Sequence, residues 1–235
     1  MKNQGLGARG WGLGALLVTG LAASLATPGF CQERLMELEQ SRLRLTVRVY
    51  NYAQASRVQM KHAEEEAGRI LRRAGVETNW LDCPLDAAAV ETHPACQEDL
   101  GPTGLVLRIL PQAMVERMPF DHSKVGFAFL TKEGPRGSML GVFYDRLRTQ
   151  ARGDEAATSL GLGRAAAHEI GHMLLRTEAH SSRGIMRGDW QGRDFRNPTA
   201  LLAFTSEQAR LIRTEVLARV EELRTSQVSD LDSPR

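Results

Sequence analysis

From about Ser159 to Leu175 the chain reads as a helix that is apolar on most of its circumference. Leu160, Leu162, Ala165, Ala166, Ala167, Ile170, Met173 and Leu174 leave little room for a solvated face, so the helix should be buried. Yet the same turn-rich stretch carries His168, Glu169 and His172. Unpaired polar groups are costly to bury, so these three need partners or a metal ion. That requirement constrains the fold more than any other stretch of the sequence. The helix must be buried, with its histidines and glutamate answered by partners or a metal.

The flanking patterns supply the layers. Arg42 to Tyr50 alternates, with Leu43, Leu45, Val47 and Val49 on one side and Arg42, Arg44, Thr46 and Arg48 on the other, as a half-buried strand does. Residues 55–74 read as a helix with an apolar stripe of Val58, Ala63, Ala67, Ile70, Leu71 and Ala74, stopped by Gly75. Val76 to Leu81 and Leu105 to Leu110 are further strand candidates, the latter halted by Pro111. Val125 to Leu130 and Met139 to Tyr144 follow, joined by a connector containing Gly134, Pro135 and Gly137 that suits a hairpin-like turn. Residues 150–158 read as a loop and 176–204 as irregular. Thr205-Ser206-Glu207-Gln208 has the form of a capping box opening a last helix. Strands first, a helix among them and two later helices predict an α+β (α/β-like) layer around one sheet. The tail from 226 to 235 is polar and is expected to be disordered.

Residues 1–30 have the layout of a secretory signal peptide: Lys2 and Arg9, then an uncharged Trp11 to Ala26, then the turn-rich Thr27-Pro28-Gly29. Cys31 follows the bulky Phe30, which argues against lipid attachment. The expectation is a secreted or periplasmic protein, with no stable membrane association once the leader is cleaved. Residues 31–225 would form a single domain and act as a monomer. A net charge of +2 gives no pull toward nucleic acid. In an oxidising compartment Cys83 and Cys96, which flank the Pro84 to Ala95 loop, are expected to pair.

Histidines four residues apart lie one turn apart on one helix face, so His168 and His172 can converge on one ion. Zinc takes neutral imidazole nitrogen, and a catalytic zinc keeps three protein ligands and a water. Glu169, beside the first histidine but off the ligand axis, can reach such a water as general base. His180, Ser181 and Gly184-Ile185-Met186 follow downstream. The other candidates read as ordinary: His62 on a solvated helix face, His93 in the cysteine loop, His122 at the surface, Asp145 in a turn and Trp190 in packing.

On His168-Glu169-Ile170-Gly171-His172, His180-Ser181 and Met186, the sequence resembles the metzincin zinc metalloproteases, the matrixin-like members most. The resemblance implies a twisted mixed sheet with an active-site helix and a C-terminal helix. It implies His168, His172 and His180 as ligands of one catalytic zinc, Glu169 as general base and Met186 as an apolar base beneath the site. It also implies an antiparallel edge strand above the cleft, for which Val125 to Leu130 is the candidate. The sequence departs from the family in two places. The third ligand of the family falls ten residues after the first, where this chain has Glu178, and His180 lies two residues further on. The helix-breaking glycine of the family is Leu175 here, so the chain must reverse near Arg176 or Thr177 without glycine. Glu178 therefore competes with His180 as third ligand, and Glu207 is a further rival.

The function implied is an exported zinc-dependent endopeptidase, a hydrolase acting on peptide or protein substrates. The alternatives are a catalytically inactive, metal-stabilised envelope or binding protein on the same scaffold, and a zinc amidase.

Overall fold

The computed structural model describes residues 43–121, 123–131, 138–197 and 202–231, with side chains to residue 225. The expected leader, Cys31, His122 and the Gly134-Pro135-Gly137 connector lie outside the described residues.

Five strands form one sheet: β1 (Arg44–Asn51), β2 (Glu77–Asp82), β3 (Gly104–Leu110), β4 (Gly126–Ala128) and β5 (Met139–Phe143). Their order is β2-β1-β3-β5-β4. The first four neighbours run parallel, and β4 pairs antiparallel with β5 at one edge. The fold is thus α+β with a mixed sheet, as the pattern of elements predicts.

Parallel strands need crossovers, and helices supply them. Helix α1 (Arg57–Arg73) joins β1 to β2 and starts at Ser56 with a reciprocal cap: Gln59 N–H donates to the Ser56 hydroxyl, and Ser56 N–H donates to the Gln59 side chain. Two single-turn helices, α2 (Ala87–Val90) and α3 (Gln112–Val115), flank β3. Helix α4 (Tyr144–Gln150) follows β5 directly, and α5 (Glu155–Leu175) is the long buried helix. The short α6 (Gly192–Arg196) and the terminal α7 (Ser206–Leu231) complete the chain.

The alternation of β1 works as expected. Leu45, Val47 and Val49 are buried in one core with Ile70 and Leu71 of α1 and with Leu162, Ala166 and Ile170 of α5. The opposite face is covered rather than open at Arg48, whose guanidinium donates to the carbonyls of Ala95 (3.1 Å) and Glu98. Ala95 lies inside the loop closed by the Cys83–Cys96 disulfide and Glu98 just past it, and the expected pairing forms. A disulfide fits a compartment outside the reducing cytosol. No helix among the described residues is long and apolar enough to cross a membrane.

Three local expectations change. Val58 does not belong to the buried stripe of α1; it is exposed in the first turn, and Met60 takes the core-facing place. Residues 150–158 are not all loop: α5 begins at Glu155, one turn early, because the Asp154 carboxylate accepts Ala157 N–H at 2.6 Å and caps it. The last helix continues to Leu231, into the polar stretch expected to be a disordered tail. The cap of that helix is as predicted, with Gln208 N–H donating to the Thr205 hydroxyl and Thr205 N–H to the Gln208 side chain.

Candidate metal centre

Helix α5 delivers two of the three histidines from its last turns. His168, Glu169 and His172 are 7%, 5% and 6% exposed. The helix ends at Leu175, and Arg176 adopts a left-handed conformation (φ 51°, ψ 41°) with its N–H donating to the His172 carbonyl. The reversal thus falls at one of the two places expected, on a residue type that pays a steric penalty there. The next carbonyl, that of Thr177, accepts from His172 Nδ1 at 2.7 Å. The chain then passes Glu178 and brings His180 back beside the helix. The His180 ring centroid lies 5.2 Å from that of His168 and 5.0 Å from that of His172.

The Gly184-Ile185-Met186 turn closes the site from below. The Ile185 carbonyl accepts from His168 Nδ1 at 2.7 Å. Ser181 N–H donates to the Met186 carbonyl at 2.8 Å, which ties the third histidine's loop to the turn. Met186 is fully buried, and its sulfur lies so close to Gly171 that a Cβ there would overlap it. The glycine between the two helical histidines is therefore a packing requirement of the methionine.

These contacts fix the imidazole tautomers. A carbonyl only accepts, so the Nδ1 atoms of His168 and His172 both carry hydrogen and their Nε2 atoms hold lone pairs. Burial pushes the His168 pKa down to about 3 and also lowers that of His172, against the raising effect of their backbone hydrogen bonds. Both rings are therefore neutral near pH 7. Yet the two Nε2 atoms face each other at 3.0 Å. Two lone pairs at that distance repel unless a cation lies beside them. Nitrogens of His168, His172 and His180 all fall within 4.8 Å of one another, so the three can hold a metal ion.

Among the described residues this converging set is histidine only. Glu178 is exposed and lines the cleft mouth outside the set. Glu207 is exposed at the start of α7 and paired with Arg210 at 2.6 Å. His62 and His93 are exposed on α1 and in the disulfide loop, as expected, and Asp145 accepts Gln112 N–H at 2.7 Å. Trp190 packs edge-on to His168, with ring centroids 5.3 Å apart.

Glu169 points away from the histidines' shared axis toward β4. A Cβ built on Gly126 would lie 2.6 Å from Glu169 Oε1, so only glycine lets the strand approach the carboxyl this closely. Burial raises the Glu169 pKa to about 8, against the opposing pull of the Lys124 charge. The cleft between α5 and β4 encloses about 510 Å³.

The open edge of β4 borders that cleft. The Val125 carbonyl accepts from Phe143 N–H at 2.8 Å, and Phe129 N–H donates to Met139 at 3.0 Å. With Phe127 opposite Gly141, the odd-numbered residues turn their backbone groups to β5. Gly126 and Ala128 consequently turn theirs outward, where no further strand pairs among the described residues.

Sequence reasoning did not single out Lys124 or Gly126. Their signal is their position at the head of the candidate edge strand, which has meaning only once that strand is known to lie over Glu169.

No family model matches the chain, and no curated protein matches it.

Proposed function

We propose that the chain is an exported zinc-dependent endopeptidase of metzincin type. The observation that carries this reading is the pair of facing Nε2 lone pairs on His168 and His172, with His180 beside them and a buried carboxyl one residue from the first ligand. Three neutral imidazoles are a donor set suited to zinc in a catalytic, open-sided site. His168, His172 and His180 would hold it, and the Ile185 and Thr177 carbonyls keep the first two rings turned toward it. When bound, zinc would supply Lewis-acid polarisation of the scissile carbonyl and a water of lowered pKa.

The protein's own groups do the rest. The outward N–H and C=O groups of Gly126 and Ala128 take an extended peptide as a further strand. That places the peptide backbone beside Glu169, which lies against Gly126. The Glu169 carboxylate accepts a proton from the attacking water and delivers it to the departing amine. Burial of this carboxyl favours its protonated form, and a zinc ion held by the neighbouring histidines would favour the carboxylate that the base step needs.

The test is hydrolysis of casein and of internally quenched peptides by the purified protein. Turnover should stop with a chelator and return with zinc. A protein that binds zinc and turns over neither substrate would instead be a metal-stabilised binding protein.

A further inference from the structure

Besides the histidines, four charged residues line the cleft: Lys124, Glu169, Glu178 and Arg187. They are not equivalent. Arg187 is answered within the chain, by Asp189 at 3.0 Å and Asp194 at 2.7 Å. Glu169 is buried against Gly126, and Glu178 is an exposed acid at the mouth. Lys124 is an exposed cation, and among the described residues no acid stands within ion-pair distance of its ammonium. Its backbone is pinned at the head of β4: the Lys124 carbonyl accepts from Arg146 Nη1 at 2.8 Å, and the Lys124 N–H donates to the Asp121 carbonyl at 3.2 Å. Its side chain is aimed at the site. Burial dominates the pKa shifts of Glu169 and His172, and the Lys124 charge acts on both groups, lowering each value. Val125, Phe127 and Leu130 line the same cleft, and a charge beside apolar walls is screened less than one on open surface.

We infer that Lys124 is a specificity-determining residue that receives a carboxylate of the bound peptide. This rests on the proposed peptidase reading and adds its substrate class, peptides with an acidic group on one side of the bond cut. The open edge gives the position. Lys124 lies two residues before Gly126, about 7 Å along the edge. Residues two apart in an extended chain share a face, so Lys124 looks toward α5 as Gly126 does. A peptide added as a further strand pairs with the edge residue by residue. The carboxylate is therefore carried two positions from the peptide residue that lies at Glu169, on the Lys124 side only. It belongs to an Asp or Glu side chain there, or it is the C-terminal carboxylate of a peptide that ends there.

Two arms test it, with end-blocked heptapeptides carrying Asp, Ser or Lys at each position in turn and with free acids ending at each position. In the first, binding to the zinc-loaded Glu169→Gln protein is read by fluorescence anisotropy. Asp at one position should bind about three- to fivefold tighter than Ser there, Lys should bind more weakly, and added salt should shrink the difference. Lys124→Gln should remove the preference, Lys124→Glu should reverse it toward Lys, and Lys124→Arg should keep it. Arg57→Glu, an equal change of charge on the exposed start of α1, should leave it intact. A preference within blocked peptides assigns the side chain, and one confined to free acids assigns the terminal carboxylate. In the second arm the wild-type protein digests the same peptides, and the cut should fall within three residues of the preferred position. Cleavage with no acidic preference, or a preference that survives Lys124→Glu, overturns the role of Lys124 and leaves the peptidase reading standing. A Lys124-dependent preference in binding with no cleavage overturns the peptidase reading and keeps the carboxylate site. Absence of both overturns both.

Discussion

Helix α5 carries two buried polar groups one turn apart, and they are completed differently. Arg164 is fully buried, and every direction of its guanidinium is answered: Glu66 on α1 at 2.9 Å, the Asp194 carbonyl, and the Asn197 carbonyl at 3.0 Å. Glu66 in turn takes two hydrogen bonds from Arg69, at 2.7 and 2.9 Å. Four residues on, His168 and His172 satisfy their outer nitrogens with carbonyls and leave the inner ones facing each other. The first cluster, two guanidiniums on one carboxylate, is closed within the chain. The second leaves a converging set of nitrogens that could hold a metal ion. Buried polarity alone therefore does not mark a site. A buried set whose remaining valences converge on one point does.

The sharpest way to separate the two clusters is to change one group in each. Glu169→Gln keeps shape and ligands but removes the proton acceptor, so peptide hydrolysis should fall by about 10²–10⁴-fold with unchanged metal content and unchanged urea midpoint. Retained hydrolysis would contradict the role given to Glu169. Arg164→Ala should do the reverse. It leaves Glu66 short of a buried partner and frees the carbonyls of the segment after the methionine turn, at a cost on the order of 3–5 kcal/mol in urea unfolding. Joint replacement of Glu66 and Arg164 by Met should be milder than Arg164→Ala. A single change that costs nothing would mean the pair is not a closed structural unit.

Acid should also expose the Arg164 cluster. Burial alone would raise the Glu66 pKa, but the hydrogen bonds and charges of Arg69 and Arg164 outweigh it and hold the value below the ordinary 4.5. A carboxyl whose folded pKa is depressed adds stability above its unfolded pKa and loses it as pH falls through the folded value. Stability measured from pH 7 downward should therefore decline below about pH 4.5, and less so in the Glu66/Arg164 double Met variant. An equal decline in both would remove Glu66 from the account. The smallest effect is at the loop to His180. Arg176→Gly relieves a left-handed non-glycine residue and should stabilise the fold by about 1 kcal/mol in thermal unfolding. A loss of stability would mean that the Arg176 side chain supports the turn.

The legible parts of this chain were those with a short period or a fixed spacing. The alternation of β1, the stripe of α1 from Ala63 onward, the Thr205 cap and the four-residue histidine spacing are each local, and each is found where expected. The start of α5 was missed because its first turn is short of large apolar residues and its signal is a single capping carboxylate at Asp154. Val58 was misplaced because it is apolar at nearly helical spacing, yet in the first turn of α1 Met60 faces the core and Val58 faces solvent. Arg164 carries no local signal, since its partner Glu66 is far away in sequence and only the packing of α1 on α5 joins them. The third histidine was the open question, because a loop two residues longer than the family pattern can deliver either Glu178 or His180. Only the left-handed turn at Arg176 and the Ser181–Met186 hydrogen bond fix which side chain comes back to the helix.

The central claim is that the unfinished cluster on α5 is a metal site made by three histidines. Metal content of the purified protein after dialysis against zinc, measured beside His180→Ala and Glu178→Ala, tests it most directly. The account predicts equimolar zinc in the wild type and in Glu178→Ala, and a marked loss in His180→Ala. Zinc-free wild type, or loss in Glu178→Ala with retention in His180→Ala, would contradict it.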